Sequence, residues 1–350
     1  MLHLDSNSLE ISNARIQHWN FFSCRTSKKI TGINCATVNC KVCSSTKSHN
    51  FKSLPVIHTN LTHYLNNEIL EKIICGVPLI LELINNDLFS NVLSIADNNL
   101  LNNYFTATKT EKTDARFKTI HELVFDIESI FNYKYFIGLE PNKSLYSAYN
   151  LAENLNRISC TYCNRTYTTT MCSSKGEKLM RPQFDHWFPK SKYPLLAISF
   201  YNLIPSCNTC NSSVKGDIVL ELQNHVHPYL NSNQNEDFEF NYIYSKRLDK
   251  YKVYIANKNS ASKTFNTIKT LKIDNMYNAH IDELKDLIKI KQLYSDTYIQ
   301  KIKAFFPKVM ISDDEIFRLL FGTELNNIDF HKRPLSKFKS DILKELGIIK

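Results

Sequence analysis

Two cysteine pairs, Cys160-Thr-Tyr-Cys163 and Cys207-Asn-Thr-Cys210, stand 43 residues apart in a chain of 350. A C-x2-C turn aims both sulfurs at one cation, and two such turns supply the four thiolates of a closed tetrahedral Zn²⁺ site. A closed site has no position for water, so this Zn²⁺ is expected to staple the fold, and reactivity must come from what it encloses. Between the pairs lie Asp185-His186-Trp187-Phe188-Pro189 and Asn202-Leu203-Ile204-Pro205, and Asn211 and Lys215-Gly216 follow the last cysteine. These types suit phosphodiester hydrolysis, which needs an activated water, a cation on the phosphate and stabilisation of spreading negative charge. His186 is the candidate general base, because an imidazole titrates near neutrality. Asp185 and Asn211 offer two hard oxygen ligands and leave most of an octahedral shell to water and phosphate, which suits Mg²⁺, with Mn²⁺ as a substitute. Lys215, one helical turn beyond Asn211, is expected on the same face, either reaching a phosphate or simply solvated.

The stretch Cys160 to Gly216, with Y-C-N-R at the first pair, D-H-x-x-P, an internal N-L and a terminal C-N-x-x-x-K, resembles the HNH endonucleases that carry a four-cysteine zinc site. The resemblance implies a ββα-metal finger, cleavage leaving 5′-phosphate and 3′-hydroxyl ends, and a role for Asn202 in orienting the His186 imidazole. Asn211 stands where that family often has a second His, an H-N-N variant, and an amide there weakens any preference for softer metals. In size and in its helical flanks the chain resembles the HNH effector subunits of bacterial antiphage systems of Septu and retron-associated type. That likeness implies a nuclease held inactive in a complex with an ATPase partner until infection; a finger with a single metal can cut DNA or RNA, and DNA is the expected substrate. No G-x-x-x-x-G-K-[ST] motif is present to serve as a motor within the chain. A non-catalytic zinc-stapled nucleic-acid-binding module and a partner-docking subunit are the rival readings.

The elements that must position these groups give an α+β fold class, a zinc-stapled ββα finger embedded between mainly helical N- and C-terminal lobes. Residues 1–60 read as a mixed β/loop segment, with β-like runs at Arg15 to Phe22 and Lys28 to Ile33. Residues 61–155 place Leu, Ile and Phe at three- and four-residue spacings and predict a helical lobe. Residues 156–230 form the expected nuclease core, and 231–350 a β-hairpin (Phe238 to Tyr244, Tyr251 to Ala256) plus a basic helical lobe. Neighbouring strand residues face opposite ways, so Asp185 and His186 can share one site only where the strand ends, as Pro189 suggests. The segment from Asn208 to Gly216 is the expected finger helix.

Four further cysteines, Cys24, Cys35, Cys40 and Cys43, allow a second Zn²⁺, with His49 or His58 as a substitute ligand, or serve as small apolar residues. Cys75 and Cys172 read as core, and His225-Val-His227-Pro228 as a loop. The chain carries 43 Lys+Arg against 34 Asp+Glu, a net +9. The excess is uneven, since residues 1–240 hold 22 basic and 21 acidic side chains and residues 241–350 hold 21 and 13. A polyanion is the partner this suggests, with Arg165, Lys190 and Lys192 as candidates for a phosphate track near the finger. No apolar run approaches the roughly 20 residues of a spanning helix, and the first residues lack a secretory pattern, so a cytoplasmic, reducing setting without membrane contact is expected.

Overall fold

The computed structural model describes residues 2–230, 237–257, 262–293, 301 and 312–349. Its first long element corrects the β/loop reading of residues 1–60, because Leu9–Thr31 is a single 23-residue helix, α1. Ser8 caps it by accepting from the Ile11 N–H at 3.3 Å, and Gly32, at φ 72°, ends it in the left-handed region. Ile11, Ala14, His18, Phe22, Arg25 and Ile30 are buried along it. That three- and four-residue period over six turns outweighs the β-branched and aromatic runs within it.

Nine shorter helices follow: α2 (Lys41–Ser44), α3 (Pro55–Tyr64), α4 (Asn67–Cys75), α5 (Pro78–Val92), α6 (Ile95–Asn99), α7 (Leu101–Thr106), α8 (Lys118–Ile130), α9 (Tyr133–Gly138) and α10 (Ala148–Leu155). Proline opens α3 and α5, where its missing N–H costs nothing. At Gly76 a Cβ would lie 2.1 Å from the Lys72 carbonyl oxygen, so only glycine lets the chain leave α4 and enter α5 this closely.

Among the described residues the β part is three two-stranded antiparallel sheets: β1 (Met171–Cys172) with β2 (Lys178–Met180), β3 (Gln183–His186) with β4 (Leu203–Ser206), and β5 (Phe238–Ser245) with β6 (Lys250–Asn257). The last is the expected hairpin, with Tyr244 opposite Tyr251 and Phe240 opposite Ile255. Cys172 lies exposed on β1, against the core reading; Cys75 is buried. Helices α11 (Lys263–Thr270), α12 (Ile273–Met276), α13 (Ile281–Leu293), α14 (Asp313–Phe321) and α15 (Ser336–Glu345) form the C-terminal part. Of the expected basic helical tail, residues 294–300 and 302–311 lie outside the described residues. One buried apolar cluster runs from Leu4 and α1 through the cysteine-rich segment to Ile348. Among the described residues no helix is long and apolar enough to cross a membrane.

Candidate functional site

Strand β3 ends at His186, and pairing with β4 sets Asp185 opposite Ile204 and His186 opposite Leu203. The four knuckle cysteines flank this ribbon. Cys160, Cys163, Cys207 and Cys210 are all buried, and their sulfurs lie within 4.8 Å of one another. The Cys163 and Cys207 Sγ atoms are 3.9 Å apart, against an edge of about 3.8 Å for a tetrahedron with Zn–S bonds of ~2.3 Å. Backbone N–H groups of Arg165, Cys207 and Cys210 donate to the sulfurs of Cys163, Cys160 and Cys207 at 3.2–3.5 Å, as thiolates require. The donor set fits Zn²⁺.

The first knuckle is also where the chain's two ends converge. The Leu2 N–H donates to the Thr161 carbonyl at 2.8 Å, and the Tyr277 hydroxyl donates to that of Cys163 at 2.5 Å. Asn164, at φ 51°, directs its amide nitrogen to the carbonyls of Phe330 and Arg333 and accepts from the Lys337 N–H.

Beside the ribbon opens a pocket of about 390 Å³ whose walls include Asp185, His186, Asn211, Arg181, Lys190 and Tyr133. The end of β3 thus places Asp185 and His186 on one cavity, with Asn211 brought in by a short π-helix, wider than an α-helix, Thr209–Lys215. That helix closes with the Gly216 N–H donating five residues back, to the Asn211 carbonyl.

His186 bonds through Nε2 to the Ala197 carbonyl at 2.9 Å. A carbonyl only accepts, so Nε2 carries the proton and Nδ1 keeps its lone pair. The Tyr133 ring packs edge-on against the imidazole, 4.4 Å between centroids. Burial lowers the His186 pKa to about 3, which corrects the expectation that it titrates near neutrality, and the ring is neutral at pH 7.

Asn202 is fully buried and holds the loop that carries Ala197. Its Oδ1 accepts from the Phe188 N–H at 2.7 Å, and its Nδ2 donates to the carbonyls of Phe188 and Leu196 at 3.1 and 2.9 Å. Asn211 donates through Nδ2 to Gln183 Oε1 at 2.8 Å, an arrangement that leaves its amide oxygen for another partner.

Lys215 corrects an expectation. It is 1% exposed and reaches no phosphate track; its ammonium lies 3.3 Å from Asp185 Oδ1 and donates to the His186 carbonyl at 2.7 Å. Asp185, itself 2% exposed, also accepts from the Tyr162 hydroxyl at 2.6 Å. The stem turns inward because a buried carboxylate left unpaired is far costlier than a lysine withdrawn from water. Burial pushes the Asp185 carboxyl up and the Lys215 ammonium down, while their attraction opposes both shifts.

No family model matches the chain. No solved structure matches it either. A curated relative, protein ea31 of Escherichia phage lambda, is 36% identical over 75 residues, a match that takes in 19% of this chain and 25% of the relative. The chain therefore spans about a quarter of the curated relative it matches.

Cys24, Cys35, Cys40 and Cys43 form a second cluster with sulfurs within 4.8 Å, built by α1, the loop after it and α2. The Cys24 and Cys35 Sγ atoms are 3.6 Å apart, and the Cys35 N–H donates to Cys43 Sγ. Both four-cysteine clusters fit zinc-binding sites. Neither proposed substitute ligand joins the second: His49 bonds Asp126 at 2.8 Å, and His58 stacks on Phe51. His225 and His227 stay in the loop, His225 accepting from the Glu221 N–H and His227 packing on Trp187.

Several residues in or beside the pocket carry no sequence expectation. Gln183 had a signal, since it precedes Asp185 by two on β3 and so shares its face. Tyr162 sits inside the first knuckle, but nothing in its spacing announces a bond to Asp185. Arg181 lies just before β3, and Tyr133 comes from α9, distant in sequence. Of the expected phosphate-track residues Lys190 lines the pocket, whereas Arg165 donates to His280 Nε2 at 2.8 Å.

Proposed function

We propose that the chain is a metal-dependent endonuclease of HNH type, hydrolysing phosphodiester bonds of nucleic acid, DNA in preference to RNA. The observation that carries this reading is His186, pinned through Nε2 to the Ala197 carbonyl with Nδ1 unprotonated, on the pocket that Asp185 and Asn211 also line. A neutral imidazole with a fixed tautomer accepts a proton from water without first losing one. Asp185 and the Asn211 amide oxygen are hard donors that would hold Mg²⁺, and such an ion, when bound, supplies positive charge to the scissile phosphate. Arg181 and Lys190 at the rim bring positive charge to the substrate backbone, and Asn202 keeps the Ala197 carbonyl where His186 needs it.

The test is incubation of purified protein with supercoiled plasmid and with RNA, with Mg²⁺ or with EDTA. Mg²⁺-dependent nicking whose products carry 5′-phosphates is the expected result. Binding without cleavage, at every metal tried, supports the zinc-stapled binding module instead.

A further inference from the structure

The positive charge beyond residue 240 does not spread evenly over the described surface. In the C-terminal helices much of it is neutralised locally: Lys337 pairs with Asp341, Lys339 with Glu283, Arg333 with Glu324, Lys332 with Asp329 and Lys269 with Asp274. The β5–β6 hairpin differs. Lys246, Arg247 and Lys250 at its outer end, and Lys252 on its flank beside α11 and α12, are exposed, and among the described residues none forms an ion pair. The acid nearest them in sequence, Asp249, is engaged by the Tyr244 hydroxyl. Ile243 and Tyr244 are 52% and 46% exposed on the same projection.

The inner end of the hairpin is firmly held. Phe238, Phe240 and Val253 are buried, Phe240 packs on Tyr277 and Phe338, and the Phe240 N–H donates to Asp341 Oδ2 at 2.9 Å. From the Tyr242–Val253 pair the strand runs three residues to Ser245, roughly 10 Å at strand rise. The hairpin is therefore a rigid-based, two-stranded ribbon with a cationic, partly aromatic free end.

We propose that this ribbon is a nucleic-acid contact separate from the pocket, entering the major groove of B-form duplex DNA with Lys246, Arg247, Lys250 and Lys252 against phosphates. It rests on the nuclease reading for the class of polyanion. A two-stranded ribbon matches the ~12 Å major groove of B-form DNA, whereas the corresponding groove of duplex RNA is too narrow for side chains to read.

The test measures binding of a short fluorescent DNA duplex to the full chain carrying His186→Ala, so that cleavage plays no part, across a salt series. The same chain also carrying Lys246→Ala, Arg247→Ala, Lys250→Ala and Lys252→Ala is compared with it, its fold checked by zinc content and melting temperature. The expected result is a salt slope shallower by roughly three to four and an affinity lower by about tenfold or more near 0.1 M salt. An unchanged slope overturns the proposal. An equal loss on duplex RNA overturns the groove assignment, and equally tight, substitution-sensitive binding of poly-glutamate assigns the ribbon to an acidic protein. The slope is read without turnover, so an inactive wild type beside a reduced slope removes only the nuclease reading, and an active wild type beside an unchanged slope removes only the ribbon.

Discussion

Lys215 and Asp185 form a buried ion pair, Lys215 also donating to the His186 carbonyl, and the Tyr162 hydroxyl completes it. Removing one member of such a pair strands a charge, so Lys215→Met should destabilise the protein by roughly 3–5 kcal/mol, read from denaturant unfolding. A shift under about 1 kcal/mol would mean that pocket water and the Tyr162 hydroxyl satisfy Asp185 without Lys215. Asn202→Ala leaves the Phe188 N–H and the Leu196 carbonyl without their partner and frees the loop bearing Ala197. Its predicted effect is a kcat at least about tenfold lower with KM unchanged, the signature of a group that acts through another and binds no substrate. At this scale the sequence was informative wherever chemistry is adjacent in the chain, as in Asp185-His186 and the two knuckles. It was uninformative about Lys215, since the direction of a long side chain is decided by which buried carboxylate needs it. Tyr133 reaches His186 only through tertiary packing.

Among the elements, the first knuckle carries more than its cysteines. Asn164 adopts a positive φ and joins the knuckle turn to the segment from Phe330 to Lys337 by three hydrogen bonds of its side chain, with a fourth to Ser159. Asn164→Ala adds left-handed strain and orphans those groups, and should cost about 3–5 kcal/mol in unfolding experiments. Asn164→Gly should recover only the backbone share, about 1 kcal/mol. Equal stability of all three forms would show that the C-terminal segment does not depend on this turn. The hairpin was readable from alternation flanking a turn, and the helices of residues 61–155 from their period. Helix α1 was not, because its β-branched and aromatic residues suit a strand when taken a few at a time; only the 23-residue period together with Ser8 and Gly32 reveals it.

For the molecule as a whole, stability should depend on pH through buried neutral histidines. His18, bonded to Tyr146 and the Ile198 carbonyl, has its pKa lowered to about 4, and His227, against Trp187, to about 3, both by burial. The unfolded chain protonates each below about pH 6.5 and the folded chain does not, so their contribution is complete above that pH and lost as pH falls toward 4 and 3. His227→Phe should therefore reduce the stability lost between pH 7.5 and pH 5 by about 2 kcal/mol. Metal analysis should find two zinc ions per chain, one for each four-cysteine cluster; a single ion would return Cys24, Cys35, Cys40 and Cys43 to ordinary small side chains. The first site was readable as paired C-x2-C turns. The second is not legible from its loose spacing, which becomes a cluster only once α1 exists to present Cys24. Whether His186 is the base is read from cleavage of plasmid by His186→Ala in Mg²⁺. The expected rate is lower by roughly 10²–10⁴ with zinc content and DNA affinity retained; cleavage at the wild-type rate would rule out His186 as the base.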